Sequence, residues 1–248
     1  MAGVERFAKG EEIYCGFASK VLGYPVRKPR KEGGIPAIEK RMGWARNSIG
    51  KVGILGCGYG MGQDRIMDYA KGAVDAETAL KIRDVYRSEN AEIVKFWYAI
   101  EKAFVQVVKY GTPARLPQGL SFSQYEDCDV VITLPNGREL HYLQVRLHPN
   151  PEVFNQQTHS WEHLWGGTLA ENVVQAMARD VLVEAMLRLE DNGIHTALTV
   201  HDELVIVAPD AVADAVLQES IVELSRTPVW APRMPLAAEG KVCKCYQK

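Results

Sequence analysis

Nowhere does the sequence hold the unbroken run of roughly 20 apolar residues that a membrane span requires. Its opening, MAGVERFAKGEE, also lacks the apolar stretch of a secretory signal. No membrane association is expected. Cysteine is scarce and irregularly placed, at Cys15, Cys57, Cys128, Cys243 and Cys245, an odd set without the spacing of a disulfide framework. That usage fits a reducing, cytosol-like compartment. Cys243-Lys244-Cys245 has no neighbouring Cys or His to complete the four ligands of a structural zinc, so it reads as two ordinary thiols. Neither charge sign dominates, with a net charge of −2, and there is no internal repeat or low-complexity tract. What remains is globular material. The 248 residues, 47% hydrophobic and 24% charged, can fill one large domain or two small ones with a sizeable core.

Charge is uneven only locally. Between Arg27 and Lys51 stand Lys28, Arg30, Lys31, Lys40, Arg41 and Arg46, opposed by Glu32 and Glu39 alone. Such a stretch can approach phosphates, and it can equally be a solvated loop.

Periodicity sets the elements. Ile13, Phe17, Ala18, Val21 and Leu22 have helical spacing, and GYPVRKPRKEGGIP after them reads as a loop. From Ala76 to Tyr110 apolar residues recur at helical intervals, as one long helix or two abutting ones, with Asp75 or the small residue before it as a candidate cap. The period then changes to two in VVITLPNGRELHYLQVRL. Asn136-Gly137 between alternating runs predicts a β-hairpin over about 129–147. TLAENVVQAMARDVLVEAMLRLEDNG predicts a helix stopped at Asn192-Gly193. HTALTV and LVIVA flank His201-Asp202-Glu203 as a hairpin with a charged tip, followed by a helix over about 210–224 and a last strand over about 236–246. This order is α+β, without the regular βαβ alternation of a doubly wound sheet.

The stretch KVGILGCGYGMG, residues 51–62, has the glycines of a nucleotide loop in the wrong register. Gly56-Cys57-Gly58 would need glycine or alanine where Met61 stands, and Gly58-Tyr59-Gly60 would need it at Gln63. Lys51 precedes the glycines and is followed by Val52, which excludes a phosphate loop of the Walker type. A helix over 42–59 instead puts Lys51, Leu55 and Tyr59, four apart, on one face. Interior glycines cost such a helix roughly 1 kcal/mol each against alanine. They read as room for a close approach, by a bound substrate or by a neighbouring helix.

Lys51-x-x-x-Leu55-x-x-x-Tyr59-Gly60 resembles the fingers-helix motif of family A DNA polymerases, the DNA polymerase I type, in its phage branch. Thr199-Val200-His201-Asp202-Glu203 with LVIVA is similar to the family's palm motif, and Glu171-x-x-x-Gln175 with Arg179 and Asp180 looks like its primer-template helix. GEEIYCGFASKVLG, YRSENAEIVKFW, LPNGRELHY and WGGTLAENVVQ extend the resemblance from about residue 7 to the end of the chain. The resemblance implies a fold: a helical fingers subdomain over 1–164 containing the hairpin, then the C-terminal part of an antiparallel-sheet palm over 165–248.

It also implies roles. Lys51 would grip the incoming triphosphate, and Leu55 and Tyr59 would shape the nascent pair. Asp202 would bind catalytic Mg²⁺ with Glu203 beside it. Gln175, His201, Arg179 and Gly60 would face primer-template DNA. The family's arginine four residues before the lysine is Asn47 here. Arg46 is displaced from that position by about 100° around an α-helix, and a one-residue insertion before Gly50 would restore it. Leu55 replaces the family's usual aromatic, implying altered handling of the sugar's 3′ position.

A further palm motif, D-x-x-S-x-x-E, supplies the second metal-binding aspartate upstream of the GEEIY-like segment. This sequence does not contain it. The expectation is therefore the C-terminal subunit of a split DNA-directed DNA polymerase, or a fragment of one. Its partners would be dNTPs, primer-template DNA and an upstream polypeptide carrying exonuclease, thumb and first palm motif. It would act in the cytoplasm of a phage-infected bacterium. The competing expectation is a noncatalytic nucleic-acid-binding or assembly subunit that keeps the polymerase-like fold.

Overall fold

Short polar residues and glycines mark the helix ends in the computed structural model of the chain, which describes residues 8–125 and 128–246. The chain divides into two compact units, Met1–Thr133 with Glu139–Glu171, and Leu134–Arg138 with Asn172–Lys248.

In the first unit, α1 (Ile13–Leu22) starts where the Glu12 side chain accepts the Cys15 N–H and stops at Gly23, whose φ of 75° lets its N–H turn back to the Ser19 carbonyl. The loop that follows is irregular, as its prolines predict. Part of its positive charge is met internally: Glu39 accepts both terminal nitrogens of Arg27, at 2.7 and 2.6 Å, and the Arg30 N–H at 2.6 Å. The Arg27 guanidinium and that N–H pull the Glu39 carboxyl down to about 2.

A continuous helical path then runs through α2 (Pro36–Trp44), a π-helical segment (Ala45–Lys51) and α3 (Val52–Cys57). α4 (Gln63–Tyr69) follows. The long periodic stretch resolves into two helices, α5 (Ala76–Glu89), capped by Asp75 accepting the Thr78 N–H, and α6 (Ala91–Tyr110), closed by Gly111 in the left-handed region. Phe17 and Val21 of α1, Ala45 and Ile49 of the π segment, Ile66, Ile82, Tyr86 and Trp97 share one hydrophobic core.

Two antiparallel sheets complete this unit. β1 (Ala114–Arg115), β2 (Ser121–Gln124), β3 (Val130–Thr133) and β4 (Glu139–Tyr142) pair in that order. The expected hairpin is the β3–β4 pair, with Val131 opposite His141. Three consecutive β3 residues, Val130, Val131 and Ile132, are buried, and Phe104 of α6 meets the Tyr142 ring edge-on at 5.3 Å. β5 (Val145–Leu147), the far end of the stretch expected as hairpin, leaves the β3–β4 pair and forms a second sheet with β6 (Pro151–Asn155) and β7 (Ser160–His163), for which no strand was expected. β7 is exposed along its length, so it has no apolar alternation to read. The Arg146 guanidinium stacks over Trp161 at 3.8 Å instead.

α7 (Gly166–Asp191) begins in the first unit and continues in the second. It ends as its Asn192-Gly193 stop predicts, with Gly193 at φ 77° and the Ile194 N–H on the Leu189 carbonyl. Leu182, Ala185 and Leu189 are buried along it. The Pro135–Arg138 turn is held to α7 inside this unit: Asn136 donates to Asp180 at 2.8 Å, Arg138 pairs with the same carboxylate at 2.7 Å, and Arg138 also donates to the Ala176 carbonyl. β8 (Thr196–Val200) and β9 (Glu203–Ile206) pair around the charged tip, and α8 (Ala213–Ser225) follows. The buried Glu223 of α8 accepts from Arg188 and Arg226.

The expected last strand is absent, since residues 236–246 carry no strand. Side-chain links fasten that segment: Ala238 N–H to Ser225 Oγ, Lys244 to Asp210, and Tyr246 hydroxyl to Glu203.

Candidate functional site

The glycine-rich stretch is helical, but not as one α-helix over 42–59. The helical path covers 36–57, and Tyr59 lies in the turn after it, with its N–H on the Gly56 carbonyl at 3.4 Å and the Gly60 N–H on the Cys57 carbonyl at 3.0 Å. Within Ala45–Lys51 the hydrogen bonds lengthen to the π pattern, as where the Val52 N–H reaches the Asn47 carbonyl. A π-turn closes with one residue more than an α-turn. It therefore absorbs the single-residue displacement of Arg46 and sets that residue one turn ahead of Lys51. Lys51 and Leu55 are exposed between the buried Val52, Gly53, Gly56 and Cys57.

Two of the glycines make room for α1. A Cβ on Gly50 would lie 2.2 Å from the Tyr14 carbonyl oxygen, and one on Gly53 would lie 2.2 Å from the Phe17 ring. The neighbouring helix is what approaches here. Gly60 serves a different contact: its φ is 77°, and a Cβ there would strike the Trp165 ring at 1.8 Å. The Trp97 indole N–H donates to the Gly58 carbonyl at 3.1 Å, and the Trp97 and Trp165 rings meet edge-on at 6.0 Å. Gly167 lies so close to the Tyr59 carbonyl that a Cβ would come within 2.3 Å. The Gly58-Tyr59-Gly60 turn is thus gripped by the Trp165-Gly166-Gly167 stretch. Burial, helped by the charge of Glu171, pushes the Tyr59 hydroxyl above its ordinary pKa.

Arg46 is not free in solvent. Its Nε donates to Glu12 Oε1 at 2.9 Å and a terminal nitrogen reaches the same oxygen at 2.7 Å. The other terminal nitrogen donates to Asn47 Oδ1 at 3.1 Å, and the guanidinium lies over the Tyr14 ring at 5.3 Å.

The second unit carries the other candidate residues. His201 and Asp202 form the two-residue tip between β8 and β9, with His201 in the left-handed region at φ 57° and Val200 opposite Glu203. His201, Asp202 and the first β9 residue, Glu203, are all exposed. The Glu203 carboxylate accepts the Tyr246 hydroxyl at 3.2 Å. Gln175 and Arg179 are exposed four residues apart on α7, whereas Asp180 is buried and committed to Asn136 and Arg138.

Among the described residues no group of three or more His, Cys, Asp or Glu side chains gathers to hold a metal ion. Mg²⁺ commonly takes one or two carboxylates together with waters and substrate phosphates. Asp202, exposed on a tight two-residue tip, fits one such arm. Sequence patterns did not single out Glu12, Trp97 or Trp165. Glu12 had a signal, its place just before a helical repeat, and Trp165 opens the WGG stretch. Trp97 looked like any core aromatic.

No protein-family profile matches the chain. The chain is 32% identical over 259 residues to a DNA polymerase of Bacillus phage SP02, a match covering 99% of this chain and 38% of that protein. Its fold resembles the POL domain of Pol1 from M. smegmatis, solved in complex with DNA primer-template and dNTP, with a TM-score of 0.55 and 17% sequence identity over 94% of this chain and 34% of that one. The chain therefore spans well under half the length of either.

Proposed function

We propose that this chain is a phage-type family A DNA polymerase sequence covering part of such an enzyme's length, and that it contributes fingers and part of the palm to template-directed addition of dNTPs to a primer 3′ end. The carrying observation is the exposed, tightly turned His201-Asp202 tip in a chain whose whole length matches a phage DNA polymerase.

Residues 1–164 are the fingers in this reading and 165–248 the C-terminal part of the palm. Lys51, exposed on the fingers helix, meets the triphosphate as a point charge, and Arg46, a turn earlier, offers the bidentate fork suited to phosphate. Leu55 packs against the sugar and base. Tyr59, with Gly60 behind it, closes on the template pair from a turn fixed by Trp97 and Trp165. Gln175, Arg179 and His201 face primer-template DNA. An amide in the minor groove meets nearly the same acceptors at every base pair, so it checks pair geometry without reading sequence.

Asp202 would hold Mg²⁺, with Glu203 beside it. When bound, the metal lowers the pKa of the attacking hydroxyl and neutralises charge on the leaving pyrophosphate. The second carboxylate comes from an upstream polymerase polypeptide that also carries thumb and exonuclease. Supporting that partner, β8 and β9 form a sheet of only two strands among the described residues, and Leu198 is 47% and Val207 81% exposed. A two-stranded hairpin is marginal alone, and more strands stabilise it. The setting is a phage-infected bacterial cytoplasm. No helix among the described residues is long and apolar enough to cross a membrane.

Primer extension tests the reading. The chain mixed with the upstream polypeptide should extend a primer with Mg²⁺, and Asp202→Ala should abolish extension while DNA binding stays within about twofold. A noncatalytic assembly subunit would lose nothing on that substitution, and absence of extension from the wild-type mixture would reject the split enzyme.

A further inference from the structure

We propose that Glu12 is a positioning residue that fixes Arg46 for nucleotide binding. This rests on the reading that Arg46 meets the triphosphate.

The Glu12 carboxylate divides its two oxygens. Oε2 accepts the Cys15 N–H at 2.9 Å and caps α1, while Oε1 takes Nε and one terminal nitrogen of Arg46 at 2.9 and 2.7 Å. The ion pair joins the cap of α1 to the π segment, whose Gly50 packs against the Tyr14 carbonyl. Arginine has two edges that can bind an oxyanion in a fork. Glu12 occupies the side edge, through Nε. The end edge, formed by the two terminal nitrogens, has one nitrogen on the neutral Asn47 amide. A phosphate can take that end edge without displacing Glu12, since charge-assisted bonds to an oxyanion are roughly twice as strong as bonds to a neutral amide. Tyr14 beneath the guanidinium plane and Glu12 beside it leave the fork few other orientations. Lys28 Nζ, 4.0 Å from the same Oε1, keeps a second positive charge on the carboxylate.

Simple electrostatics predicts the opposite consequence for removing Glu12, because deleting a negative charge near a triphosphate should tighten binding. The proposal predicts weakening. Glu12→Gln is the informative change, since its amide oxygen still accepts the Cys15 N–H and preserves the cap. Binding of dATP with Mg²⁺ to the full chain is measured by titration calorimetry for wild type, Glu12→Gln, Glu12→Asp, Arg46→Ala, Lys51→Ala and the Glu12→Gln/Arg46→Ala double variant.

Expected are a loss of about tenfold for Glu12→Gln, partial recovery in Glu12→Asp, and no further loss when Glu12→Gln is added to Arg46→Ala. Unchanged or tighter binding in Glu12→Gln, while Arg46→Ala weakens it, overturns the positioning role and leaves the nucleotide reading intact. So does an additive loss in the double variant. If neither Arg46→Ala nor Lys51→Ala alters binding, the nucleotide reading fails and this proposal fails with it. Unchanged melting temperatures across the Glu12 variants exclude misfolding as the cause.

Discussion

Glycine is the residue whose role changes most between sequence and structure. In KVGILGCGYGMG the glycines suggest a loop wrapping phosphate, yet Gly50 and Gly53 are the points where α1 lies directly on the helix. The Gly50 contact is with backbone, the Tyr14 carbonyl, which cannot rotate away as a side chain could. Gly50→Ala should therefore destabilise the chain by about 1–3 kcal/mol through overpacking, read as a fall in melting temperature of several degrees. An unchanged melting temperature would mean that α1 and the π segment separate easily. Further along the same path, burial pushes the Cys57 thiol up to about 12.

At the scale of elements, the π segment is a feature the sequence signalled only through the one-residue displacement of Arg46. Helical periodicity placed Lys51, Leu55 and Tyr59 on one face; Lys51 and Leu55 are exposed along the helix, and Tyr59 falls in the turn beyond it. Nothing in the residue types marks the extra residue, because a π-turn is set by how neighbouring surfaces demand register on both sides. Ala45 and Ile49 are fully buried before the helix returns to α geometry. The structure therefore predicts an unusual tolerance. Deleting the exposed Asn47 should convert the π-turn to an α-turn while Ala45 and Val52 keep their places, costing little in melting temperature. Deletion of Tyr98, exposed in the regular α6, should rotate everything after it by about 100° and prevent cooperative unfolding, as seen by circular dichroism.

Other elements divided in the same way. Asp75, the Asn136-Gly137 turn and the Asn192-Gly193 stop were legible because each supplies a local hydrogen bond or backbone conformation that few residues provide. β7 was not legible because its four residues are all exposed. The expected strand over 236–246 failed because its apolar residues pair with no ladder, and Lys244 and Tyr246 reach Asp210 and Glu203 by side chain alone. The candidate site was legible where it is linear, as in Lys51-x-x-x-Leu55 and His201-Asp202-Glu203. It was illegible where it is assembled, as with Glu12 and the Trp97–Trp165 grip.

For the molecule as a whole, the two-stranded β8–β9 sheet has a consequence for how the isolated chain behaves in the tube. Its outer strand edges carry backbone donors and acceptors that can pair with another copy, and Leu198 and Val207 offer that copy apolar surface. A net charge of −2 supplies little colloidal repulsion to keep copies apart. Stored alone, the chain should drift into oligomers as its concentration rises, visible as growing scattered intensity, and moving the pH toward its isoelectric point near 6.3 should hasten the drift. An equimolar upstream polypeptide should hold the scattering flat. A chain that stays monomeric without it would show that its strand edges are already protected, and purification of the protein would then need no companion.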